Sequence, residues 1–189
     1  MFRAESKAGT ELGKTVSAIM AKGALVSDEL VDEIVASRTS RPDCADGFLL
    51  DGYPRTVPQA RVFAALLSRR GLPDPIVIHM DVRDDSLVAR LTARRQCPEC
   101  RRIYNLLSQP PRIAGQCDDD HAPLLIRDDD NEAVIRRRLA AYKELTGPIL
   151  EWYGASLVHT VDGDRAPEKV RAAIEAAVVS AIHAAPVAK

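Results

Sequence analysis

The chain has 189 residues, 46% hydrophobic and 28% charged, with a formal net charge of -1. That composition excludes an intrinsically disordered chain and a strongly basic nucleic-acid binder, and the length suits one domain with an insertion. The most apolar stretch, Ala172 to Ala185, is too short to span a bilayer and carries Glu175 and His183. The N-terminus has no apolar run of the secretory kind, so a cytoplasmic protein is expected, with no membrane or nucleic-acid partner. Of the 26 basic residues, 20 are Arg and 6 are Lys. Arg grips phosphate or carboxylate with a planar fork, so the bias points weakly to polyanions.

In chain order, Gly9 to Thr15 looks like a phosphate loop, but three residues separate the glycines where the motif needs four, and no buried strand precedes them. The expectation there is a helix from near Thr10 with Lys14 on its solvated face. Ser27 starts a helix with Asp28 and Glu29 in its first turn and an apolar stripe of Leu30, Val31, Ile34 and Val35. Gly47–Asp51 reads as the first of three buried parallel strands, with Ile76–Asp81 and Leu157–Asp162 as the others. Thr56 and Gln59 form a capping-box pattern for a helix that Gly71 and Pro73 end. A further helix is expected from about Asp84 to Arg95. Ile135, Leu139, Tyr142, Leu145 and Ile149 mark one face of a long helix from about Asn131 to Tyr153, and Pro167 opens the last helix. Strands separated by helical patterns signal an α/β fold.

The segment from Gln96 to Arg127 fits neither period, and at about thirty residues it is too long for a structureless loop in a compact domain. A metal would organise it. Cys97 and Cys100 form a C-x-x-C pair, and Cys117 with Asp120 repeats that offset after sixteen intervening residues. Two close pairs of thiolate and carboxylate donors can close a tetrahedral zinc site. Asp118, Asp119 and His121 compete for the fourth position, which spacing gives to Asp120. A disulfide is the other use of such cysteines, and a cytosolic location argues against it. Four protein ligands leave no open position for water, so the zinc is expected to be structural. Cys44, outside the cluster, reads as a buried apolar residue.

Asp51-Gly52-Tyr53-Pro54-Arg55-Thr56 follows the first expected strand and precedes a helix. Gly52 permits close approach, Pro54 fixes the turn, and Arg55 projects from the carboxyl edge where open α/β sheets bind ligands. Arg94 precedes the cysteine segment, Arg127 closes it and Arg138 lies eleven residues on, a spacing that puts 127 and 138 on one face of one helix. Gathered arginines imply phosphates. At this point the sequence closely resembles the bacterial adenylate kinases with a zinc-stapled lid. The motifs that carry the resemblance are Met1-Phe2-Arg3, Gly9-Thr10-Glu11-Leu12-Gly13, Leu25-Val26-Ser27-Asp28-Glu29-Leu30, Gly47 to Thr56 with Gln59, the Cys/Asp segment, Arg127-Asp128-Asp129-Asp130 and Val161-Asp162-Gly163.

The resemblance implies a P-loop-kinase-like, three-layer α/β fold, a parallel sheet with helices on both faces and a zinc-stapled lid insertion. Residues 1–26 would be part of the nucleoside-monophosphate-binding domain, 93–130 the lid, and 27–92 and 131–189 the core. Such enzymes transfer a phosphoryl group reversibly from ATP to AMP with Mg2+, as monomers. Arg3, Arg55, Arg127 and Arg138 would hold the AMP phosphate or the transferring group, with Gly52, Tyr53 and Pro54 beside them. The backbone of Ala24, Leu25 and Val26 would contact the nucleoside together with Gln59. Arg90, Arg94, Ile103, Tyr104 and the backbone near Arg165 would meet ATP, and Asp51 would order the water shell of magnesium. The family begins with a strand, a Gly-rich phosphate loop, its helix and a second strand, all of which precede the point matched by Met1. A fold missing its first two strands is therefore expected, with reduced catalysis by this chain alone. A zinc-stapled AMP-binding remnant and a kinase for another nucleoside monophosphate are the alternatives.

Overall fold

The computed structural model describes Lys14 and residues 27–127 and 130–184. Arg3, Ala24, Leu25 and Val26 lie outside the described residues, as do Asp128 and Asp129. Lys14 is helical and exposed, as expected of it. The chain divides into two compact units, Met1–Asp74 and Pro75–Lys189.

In the first unit, α1 spans Asp28–Thr39 and α2 spans Val57–Arg69, with a 3-10 turn at Pro42–Cys44. Ser27 caps α1, its Oγ accepting from the Leu30 N–H at 3.5 Å, and Asp28 and Glu29 complement the dipole. Thr56 caps α2, its Oγ1 accepting from the Gln59 N–H at 3.3 Å. Beyond α2 the chain turns at Gly71 with φ 63°. The core is Val35, Tyr53, Phe63 and Leu67. Tyr53 and Phe63 meet edge to face with centroids 5.8 Å apart, a favoured arrangement of the ring quadrupoles. Cys44 is buried, as expected, and accepts from Arg38 NH1 at 2.9 Å.

The expected strand at Gly47–Asp51 is not one. Phe48 and Leu50 pack on the core while Leu49 is 87% exposed. The burial has the period of two that belongs to a strand, but no ladder partner among the described residues takes up the backbone groups. Apolar patterning places side chains; it does not supply the second strand.

The second unit is a mixed α/β arrangement. It runs β1 (Val77–Asp81), α3 (Asp84–Thr92), β2 (Arg94–Gln96), β3 (Ile103–Asn105), α4 (Glu132–Ala141), a π turn (Tyr142–Thr146), α5 (Gly147–Tyr153), β4 (Val158–Asp162) and α6 (Pro167–Ala184). β1 and β4 pair in parallel, from Val77 opposite Val158 to Asp81 opposite Asp162. This agrees with the expected α/β class. Of these strand residues only Val161 is buried; the others are half-buried or, like Met80, exposed.

Three expectations about helices need correcting. The helix expected to reach Arg95 ends at Thr92, because Ala93 O accepts from the Leu106 N–H at 3.0 Å and Arg94 and Arg95 enter an antiparallel ladder with β3. The segment after Gln96 therefore holds short strand pairing that its sequence did not reveal. The long helix runs to Tyr153 as expected, but it widens at the π turn, where Tyr142 and Leu145 are exposed while Ile135 and Ile149 are buried. A π turn adds a residue to the repeat and rotates the following face. Finally, Arg127 and Arg138 do not share a helix. Asn131 caps α4, its Oδ1 accepting from the Val134 N–H at 2.9 Å, so Arg127 precedes the helix.

Candidate functional site

The cysteine segment folds as two turns of the same construction. The Cys97 N–H donates to Arg102 O and the Cys117 N–H to Ala122 O, each at 2.9 Å. Four residues after each cysteine stands a non-glycine residue with left-handed backbone, Arg101 at φ 64° and His121 at φ 59°. These strained positions bend each chain back on itself, so that the side chain three residues after the cysteine, Cys100 or Asp120, faces its partner. The ligand atoms of Cys97, Cys100, Cys117 and Asp120 all lie within 4.8 Å of one another. Cys100 Sγ is 3.5 Å from Cys117 Sγ, and Cys97 Sγ is 3.1 Å from Asp120 Oδ2. Tetrahedral zinc with bonds near 2.3 Å to sulfur separates its ligand atoms by about 3.8 Å, so the four donors fit that ion. All four cysteines of the chain are free thiols.

The competing donors are engaged elsewhere. Asp119 pairs with Arg102 NH1 at 2.5 Å, and Asp118 Oδ1 accepts from the Arg112 N–H at 2.8 Å. His121 is the turn residue itself. The Ala122 N–H, followed by the Cys97 thiol, holds the Asp120 carboxyl well below the usual carboxylate range. Tyr104 is buried beneath the cluster, its hydroxyl 3.4 Å from Cys117 Sγ and accepting from the Asp118 N–H at 2.7 Å. Ile103, its neighbour on β3, is exposed.

The two ends of this segment meet at its base. Gln96 and Leu125 exchange both backbone hydrogen bonds at 2.9 Å. Arg94 and Gln96 lie two apart on β2 and so project from one face. Arg94 grips Asp130 with two hydrogen bonds, one from Nε at 2.8 Å and one from NH2, while Arg127 Nε donates to Gln96 Oε1 at 2.7 Å. Arg94 and Arg127 are thus brought to the same base. Arg138 is exposed on α4.

At the carboxyl ends of β1 and β4, a depression of about 560 Å3 is lined by Asp81, Arg83, Thr160, Asp162 and Asp164. Gly163 crosses closely here: its N–H donates to Asp81 O at 2.7 Å, and a Cβ on it would stand 2.5 Å from Val82 Cγ2. Arg90 NH1 donates to Gly163 O at 2.7 Å, and Arg165 Nε to Asp162 Oδ2 at 3.0 Å. Arg83 Nε donates to Asp164 at 2.8 Å, and Arg83, then Ser86, holds the Asp164 carboxyl down at about 2. Nothing in the sequence taken residue by residue singles out Arg83 or Asp164. The available signal is the charged stretch Asp162-Gly163-Asp164-Arg165, which begins at the last residue of β4.

In the first unit, Asp51 is exposed and Gly52 adopts φ 73°. Arg55 is exposed, and its Nε donates to Gly52 O at 2.8 Å across the turn that contains Pro54. Tyr53 is buried, its hydroxyl donating to Asp32 Oδ1 at 2.6 Å. The Gln59 side chain accepts from the Arg55 N–H and donates to Asp28.

A family model described as adenylate kinase matches residues 1–158. An adenylate kinase of Anaeromyxobacter sp. (strain Fw109-5) is 43% identical over 181 residues, covering 95% of this chain and 85% of that protein. One of Pseudothermotoga lettingae is 42% identical over 171 residues, 90% of this chain and 79% of that protein. One of Thermosipho melanesiensis is 45% identical over 164 residues, 86% and 77% respectively.

Proposed function

The chain belongs to the adenylate kinase family, and on that premise we infer that it transfers a phosphoryl group reversibly between ATP and AMP, giving two ADP. The observation that carries this reading is the family match across residues 1–158, since it spans both compact units. Phosphoryl transfer asks a protein to align two nucleotides, spread positive charge over the moving group and exclude water. Guanidinium forks suit that charge. We assign phosphate contacts to Arg55, Arg94, Arg127 and Arg138. The base of the cysteine segment supports two of these, because Asp130 and Gln96 fix the side chains of Arg94 and Arg127 before any nucleotide arrives.

On the AMP side the reading assigns Gln59 to the base and Gly52, Tyr53 and Pro54 to the phosphate turn. The Tyr53 hydroxyl is spent on Asp32, so its part is played by the backbone. Arg3, Ala24, Leu25 and Val26 complete that side. Arg90, Arg94, Ile103, Arg165 and the backbone of Tyr104, whose ring is buried beneath the cysteine cluster, are assigned to ATP, which enters as its magnesium complex, with exposed Asp51 offering the hard oxygen that suits the ion's water shell. Cys97, Cys100, Cys117 and Asp120 are assigned to zinc, which supplies a structural cross-link when bound. Residues 93–130 are then the lid, 27–92 and 131–189 the core, and 1–26 part of the nucleotide-binding domain. The same reading makes the protein a cytoplasmic monomer; no described helix is long and apolar enough to cross a membrane.

The test is ADP formation by the full-length protein from magnesium ATP with AMP, CMP, UMP and GMP in parallel. AMP is expected to be the preferred acceptor. Preference for another monophosphate would reassign the substrate, and no transfer to any of them would overturn the reading.

A further inference from the structure

The turn between Asp51 and Gln59 is tied to one face of α1. Asp28 and Asp32, one helical turn apart, both point to it. Asp32 takes the Tyr53 hydroxyl at 2.6 Å. Asp28 takes two hydrogen bonds, from Thr56 Oγ1 to Oδ2 at 3.0 Å and from Gln59 Nε2 to Oδ1 at 2.8 Å. The other end of the Gln59 carboxamide, Oε1, accepts the Arg55 N–H at 2.7 Å. Gln59 is 4% exposed, so these two partners decide which way the amide lies.

The orientation follows from chemistry. A backbone N–H can only donate, so the amide must turn its oxygen to Arg55; an ionised carboxylate can only accept, so the amide must turn its nitrogen to Asp28. Reversing the amide would set two donors against each other at Arg55 and two acceptors at Asp28. One amide hydrogen and one lone pair of Gln59 are left over, and their sense is fixed. We propose that Asp28 is a positioning residue for nucleobase selection: it locks the Gln59 carboxamide in one sense, so that its remaining donor and acceptor match a 6-aminopurine and mismatch a 6-oxopurine. Adenine offers an amino donor beside a ring-nitrogen acceptor, whereas a 6-oxopurine offers a carbonyl acceptor beside an N–H donor, the inverse pattern. Without Asp28 the amide has one restraint instead of two, and the inverse pattern becomes accessible. The proposal rests on the assignment of AMP as substrate and of Gln59 to its base.

The experiment compares AMP with IMP, by turnover and by calorimetric binding, in the full-length protein and its D28A, D28N and T56A variants. In D28A the preference for AMP over IMP, measured as the ratio of kcat/KM, is expected to fall about tenfold, through KM rather than kcat, as one orienting hydrogen bond is lost. D28N keeps an acceptor for Gln59 and is expected to restore most of the ratio. T56A removes the other bond to Asp28 together with the α2 cap; it is expected to lower Tm and leave the ratio alone. A purely structural Asp28 would give D28A the T56A pattern, and that result overturns the proposal. Should D28A fail to fold, hydrogen exchange of the Gln59 carboxamide in the unaltered protein decides, with one protected proton expected and rapid exchange of both overturning it. If the unaltered protein binds and phosphorylates neither nucleotide, the substrate assignment itself fails, an outcome distinct from an unchanged ratio.

Discussion

The side chain of Asp130 is wholly buried, and Arg94 answers it with two parallel hydrogen bonds. A carboxylate in that position is tolerable only while the guanidinium stays, because desolvating a lone charge costs more than the pair returns. Arg94→Ala, which leaves the Asp130 carboxylate buried without this guanidinium, is therefore expected to lower the free energy of unfolding by about 3 to 5 kcal/mol in urea titrations. Arg136→Ala, which breaks an exposed pair with Glu132 one turn away on α4, should change it by no more than about 0.5 kcal/mol. Equal effects would mean that burial is not what distinguishes the two pairs. Tyr153 presents the complementary case of a buried acid kept neutral: burial pushes its phenol up to about 12. The unfolded chain ionises nearer pH 10, so between about pH 10 and 12 the folded state binds the extra proton and stability drains away as pH rises. Denaturant midpoints should therefore be flat in Tyr153 below about pH 9 and fall above pH 10, and Tyr153→Phe should remove part of that fall.

Among the elements, the cysteine segment shows what spacing can and cannot reveal. The clustering of four donors is legible because a turn that could return the chain to an ion has a fixed length, and two copies of it place Cys97 with Cys100 and Cys117 with Asp120. The turn residues Arg101 and His121 were not legible, since nothing in either side chain announces a left-handed backbone. The strand at Gly47–Asp51 failed for a different reason: the alternation of Phe48, Leu49 and Leu50 is real, but pairing is a property of two segments. The π turn was hidden because Tyr142 and Leu145 keep helical spacing in the sequence while the backbone changes its repeat. Little apolar packing supports the cysteine segment beyond Tyr104, Ala122 and Leu124 around the two buried thiols, so its order should depend on the ion. Metal analysis is expected to give about one zinc per chain. A strong chelator should open the region from Gln96 to Arg127 to proteases while β1, β4 and α6 resist. Unchanged cleavage after removal of zinc would show that the short ladders alone hold it.

For the molecule as a whole, the question is whether an arginine serves the fold or the reaction, and the sequence could not separate the two. Arg94, Arg127 and Arg138 look alike as arginines around one segment, Arg94 beside Arg95 and Arg138 at the end of Arg136-Arg137-Arg138. The structure distinguishes them by burial: Arg94, which braces Asp130, and Arg127, which is held by Gln96, are half-buried, whereas Arg138 stands exposed on α4. Substituting Arg94 must therefore damage both stability and any phosphate contact, and its kinetics alone cannot be assigned. Arg138 offers the cleaner experiment. An exposed helical residue replaced by Ala normally changes stability by no more than about 0.5 kcal/mol, so Tm should stay within about 2 °C. If Arg138 faces the phosphoryl group in the transition state, kcat with ATP and AMP should fall by at least about a hundredfold. Arg138→Lys separates charge from geometry: an ammonium keeps the charge but cannot make the bidentate fork, so only a small part of the rate should return. Full activity in Arg138→Ala would remove it from the reaction. Recovery by Lys to the original rate would reduce its part to a diffuse field, readable as a kcat/KM that falls with added salt.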